Sequence, residues 1–63
     1  MVSNGEIYHL AFNISDELLR KGFQPSRVAI RDHLKELNKQ DLPREEMEKR
    51  AKEWAIETYT KKS

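Results

Sequence analysis

Glu6 and His9 form one E-x-x-H, a spacing that puts a carboxylate and an imidazole on one side of a helix. Di-iron helical bundles use two such pairs, with further glutamates, to hold metal. This chain has one copy, and His33 is its only other histidine. Cysteine is absent, which excludes disulfides and thiolate ligands. No stretch has the form of a nucleophile elbow, a phosphate-cradling glycine loop or a metal-ligand set. Glu45, Glu46 and Glu48 lie close together, but acid–base chemistry needs a sheltering pocket, which a chain this short rarely makes. His9 beside a capping glutamate and His33 at the edge of an apolar face fit structural roles. These residues predict no catalytic site, no metal and no cofactor, and so a binding protein that is not an enzyme.

The residues that do repeat are cations. Arg27, Arg31 and Lys35 recur every four residues, with Lys39 next in the row and Ser26 just before it. Such a row on one helix face can contact DNA phosphates, with the Ser26 hydroxyl near one of them. The rival reading is a solvated face that pairs locally with Asp32 and Glu36. From Arg20 to Lys39 there are six bases and two acids, a local charge of +4. The rest of the chain has six bases and nine acids, a charge of −3, and the total is +1. This is not the footprint of a protein that coats nucleic acid indiscriminately. DNA binding requires the basic segment to be gathered on one surface.

Three helices are predicted to carry these residues, at about 4–21, 26–39 and 42–61. In the first, Ile7, Leu10, Ala11, Ile14 and Leu18 follow the spacing of one helical face. Ser3 and Glu6 have the form of a capping box, and Gly22 after Arg20-Lys21 is a stop. Asn13 and Ser15 are weak helix formers, but one continuous helix is preferred. A second stripe, Tyr8, Phe12 and Leu19, lies about 100° around the same helix. Either this helix is central and packs on both neighbours, or the stripe is a protein interface.

In the second helix Ser26 is the N-cap after Pro25, and Ile30, Leu34 and Leu37 face inward. In the third, Asp41 is the candidate N-cap and Glu45 and Glu46 suit the positive helix end. Lys61 and Lys62 suit its other end. Met47, Ala51, Trp54, Ala55 and Thr58 line its inner face, with Trp54 buried against the first helix and Ile56 exposed. No segment alternates with a period of two, so the fold class is all-α: a small, helix-turn-helix-like three-helix bundle. It forms a single domain over residues 1–63.

In ISDELLRKGFQPSRVAIRDHL the run LL-x-x-G-x-x-P-S-x-x-x-I-R-x-x-L resembles the N-terminal DNA-binding domain of KfrA-type plasmid regulators. The likeness spans about residues 14 to 34 and implies a helix-turn-helix that binds double-stranded DNA. The chain departs after Leu34, where that family continues with a Gly/Ser-rich turn. It is also similar, more faintly, to short regulators of the PerC and ANR type.

At 63 residues the core is small and has no cross-links, so self-association, as a homodimer, is the natural supplement. No apolar run approaches the roughly 20 residues of a membrane span, and the start of the chain lacks the pattern of a signal peptide. These features predict a cytoplasmic protein with no membrane partner. The function expected is a regulatory DNA-binding module. The alternative is a helical protein–protein adaptor using Tyr8, Phe12 and Leu19.

Overall fold

The computed structural model describes residues 2–60. Three helices make the fold, α1 (Asn4–Arg20), α2 (Arg27–Lys39) and α3 (Arg44–Thr58), with no strand among the described residues. Lys61 and Lys62 lie outside the described residues.

The chain ends α1 and starts α2 with capping groups. The Ser3 hydroxyl accepts from the Glu6 N–H at 3.3 Å, and Ser26 does the same for Ala29. Each satisfies a backbone donor that the first helical turn leaves open. The Glu6 carboxylate does not close a capping box; it pairs with Arg44 of α3 at 3.1 Å. Asn13 and Ser15 leave α1 unbroken. At its end Gly22 takes a φ of 93°. The Gly22 N–H donates to the Leu19 carbonyl and the Phe23 N–H to that of Leu18. This is a Schellman ending, and Phe23 folds back onto the core.

The end of α2 differs from the sequence reading. Asp41 does not cap α3. It follows α2 in the left-handed region at φ 58°, its N–H donating to the Asn38 carbonyl. Aspartate tolerates that conformation better than most residues. The N-cap of α3 is Pro43, which offers no side-chain hydrogen bond, so α3 begins two residues later than predicted.

The helices pair side by side. The Asn38 amide exchanges two hydrogen bonds with the Val2 backbone, both 3.1 Å. Tyr8 meets Arg31, and Phe12 meets Arg27. These contacts descend α2 as they climb α1 over about 15 Å, so the two helices lie antiparallel. The helix-turn-helix-like step is thus closed down to an αα-hairpin, whereas the DNA-binding motif opens to about 90–120°. Glu6 with Arg44 and Glu17 with Lys52 tie α3 along the other side of α1. The 2.7 Å bond from Lys52 holds the Glu17 carboxyl below its ordinary value.

The core is Ile7, Leu10, Ala11, Ile14 and Leu18 from α1, Ile30, Leu34 and Leu37 from α2, and Met47, Ala51 and Ala55 from α3. Ser15 is also buried, donating its hydroxyl to the Phe12 carbonyl at 3.2 Å. The small side chains Ala11, Ala51 and Ala55 let the helices approach closely. Trp54 is not buried against α1; it is half-buried and stacks on His33 of α2. Thr58 is exposed, and Ile56 is half-buried and packed on the core. None of the described helices is long and apolar enough to cross a membrane.

Candidate functional site

The cation row and the second apolar stripe belong to different helices, yet the hairpin brings them together. Arg27 lays its guanidinium over the Phe12 ring, 4.5 Å from the centroid. Arg31 stands 5.6 Å from the Tyr8 centroid and donates Nη1–H to the Tyr8 hydroxyl at 3.4 Å. Its Nε and Nη2 donate to Asp32 Oδ1 at 3.2 and 2.9 Å. The hydrogen bonds it donates to Asp32 and then to Tyr8 raise the Arg31 pKa above its ordinary value. A guanidinium over an aromatic face is attracted by the ring quadrupole, by about 0.5–1 kcal/mol at exposed sites.

The rest of the row is open. Lys35 is exposed and lines a shallow hollow of about 340 Å³ with Asn4, Ile7, Asn38 and Lys39. Lys39 reaches Glu36 at 3.3 Å across exposed surface, a pair of small worth. Ser26 is exposed, and its hydroxyl accepts the helix-capping bond. Its O–H is its remaining means of meeting a phosphate.

Tyr8, Phe12 and Leu19 are each about half exposed, at 52%, 50% and 53%. The stripe is therefore surface, while α1 uses its other face to pack on both neighbours. Val28, 57% exposed, was not singled out by sequence reasoning. Its signal was present: an aliphatic residue off the inward face of α2.

A second hollow, about 360 Å³, is lined by Gly5, Tyr8, His9, Phe12 and Arg27. Glu6 and His9 do not act together, since Glu6 turns to Arg44 and His9 to this hollow. Among the described residues no three His, Asp or Glu side chains group to hold a metal ion. His33 is held below its ordinary pKa by burial, which Glu36 partly opposes.

No protein-family model matches the chain, nor does any curated protein or solved structure.

Proposed function

We propose that this chain is a small helical regulatory module that docks on duplex DNA with the flank of α2. One observation carries the reading. Arg27, Arg31, Lys35 and Lys39 form an unbroken row at four-residue spacing, with all but Arg31 exposed. The row extends about 18 Å and meets a polymer that sets a negative charge about every 1.7 Å of its axis. Because α1 and α2 pair lengthwise, α2 meets the duplex by its side. Its contacts are with phosphates, which position a protein without reading sequence. The likeness of residues 14 to 34 to KfrA-type regulators points the same way.

The module acts in the cytoplasm as a homodimer. Leu19 and Val28, both near the turn of the hairpin, supply apolar surface for self-contact. The test is duplex binding across a salt series. Replacing Arg27, Arg31 and Lys35 by alanine is expected to spare the fold, because none belongs to the buried core. Each lost phosphate contact should lower the slope of log affinity against log salt by about one. Absence of duplex binding at low salt, or a slope indifferent to the triple change, rejects the proposal.

A second reading is a protein adaptor, favoured by the exposure of Tyr8, Phe12 and Leu19. Aromatic and arginine side chains are the usual anchors of protein interfaces. It predicts a partner whose binding falls with Tyr8→Ala and Phe12→Ala and is indifferent to Lys39→Ala.

A further inference from the structure

We propose that the hollow beside α1 seats an unpaired nucleobase, so that this face holds single-stranded or locally opened DNA more tightly than intact duplex. The inference rests on the nucleic-acid reading above. Its starting point is Gly5. This glycine lies in a helix without positive φ, and a Cβ there would meet only the Ser3 hydroxyl, at 3.9 Å. Neither backbone conformation nor packing asks for glycine, which weakens a helix relative to alanine. What its missing side chain does is leave the floor of the hollow open between Tyr8, His9 and Phe12.

The walls have one chemistry. Tyr8 and Phe12 expose half their surface, and the Arg27 guanidinium stands over Phe12, 4.5 Å from its centroid. Aromatic rings and guanidinium planes are the surfaces on which unstacked bases lie. Among the described residues no carboxylate lines the hollow. The acids nearest it in sequence are engaged, Glu6 by Arg44 and Asp16 by Arg20, both at 3.1 Å, and Asp32 by Arg31. A base in the hollow leaves its phosphates to Arg27, Arg31 and Lys35. The lining selects a planar ring attached to an anion, and an acidic aliphatic peptide satisfies only half of it. Within a duplex the bases are stacked and cannot enter.

The probes are labelled oligodeoxythymidine, an abasic strand of the same length and charge, the matching duplex, and oligoglutamate. Gly5→Leu fills the floor, and Phe12→Ala removes a wall outside the core. Either change should weaken oligodeoxythymidine binding by about 5- to 150-fold, the range for one stacked base, and Gly5→Leu should leave duplex binding unchanged. The abasic strand should bind wild type as weakly as oligodeoxythymidine binds the variants. Oligodeoxythymidine affinity that ignores both substitutions overturns the inference and leaves the duplex reading standing. Oligoglutamate or the abasic strand binding as tightly as oligodeoxythymidine overturns it too, because charge alone then suffices. If no nucleic acid binds, both readings fall together.

Discussion

The His33 and Trp54 rings lie face to face across the α2–α3 seam, with centroids 4.4 Å apart and planes 8° from parallel. Tyr59 meets Trp54 in an edge-on arrangement, with centroids 6.2 Å apart. The stack gives His33 a shielded position that favours the neutral imidazole.

That position makes stability depend on pH. Burial lowers the folded-state pKa of His33 from 6.5, so below that pH the unfolded chain binds a proton that the folded chain resists. The contribution is complete above 6.5 and is lost as pH falls through the folded-state value. Urea midpoints should be lower at about pH 5 than at about pH 7.5. His33→Gln should shrink the difference.

Core and edge should respond differently to truncation. Leu34 is fully buried, and Leu34→Ala should cost about 2–5 kcal/mol, enough to unfold most molecules of a domain this small. Trp54 is only half-buried, so Trp54→Ala should cost less than the about 3–5 kcal/mol of a core tryptophan. Chemical denaturation of the two variants side by side measures the order. A larger loss for Trp54→Ala would contradict the packing described.

Gly22 at φ 93° occupies backbone space that a Cβ makes strained. Gly22→Ala should destabilise by about 1–2 kcal/mol, acting through the turn and not through any side-chain contact. A thermal midpoint equal to that of the parent would mean that the turn is made otherwise.

Gly5 should behave in the opposite way. Its position is helical and open, so Gly5→Ala should stabilise by about 0.5 kcal/mol, the low end for a helix because the site is in the first turn. A rise in thermal midpoint together with weaker single-strand binding would mark a residue kept for the hollow at the expense of the helix.

Much of this was legible in the sequence. Apolar spacing near 3.6 gave the three helices and all eleven of their buried apolar residues without tertiary information; Met47 and the alanines of α3 followed the same rule, and only the partner surface of each stripe was missing. Ser3, Ser26 and Gly22 marked their helix ends because capping is local chemistry. Asp41 was misplaced because aspartate suits both an N-cap and a left-handed turn, and one residue type cannot distinguish them. Trp54 was misplaced because periodicity gives direction around a helix but not the depth of the seam it points into. The Arg27–Phe12 and Arg31–Tyr8 pairs were out of reach for a related reason. Spacing shows which residues share a helix face, whereas their meeting depends on how far two helices slide past each other.

The hairpin also orders the steps by which the chain assembles. It is closed at one end by the Gly22 turn and at the other by the two bonds between Asn38 and Val2. Only six residues link its helices, so closing it costs little chain entropy. The third helix has no side-chain cap at its start and is tied to α1 by exposed ion pairs and three small or flexible core side chains. The α1–α2 pair is therefore the natural folding nucleus, with α3 docking onto it last and leaving it first. A departure of α3 would uncover the apolar side of the hairpin while the opposite flank, with its cations and aromatic rings, would stay intact.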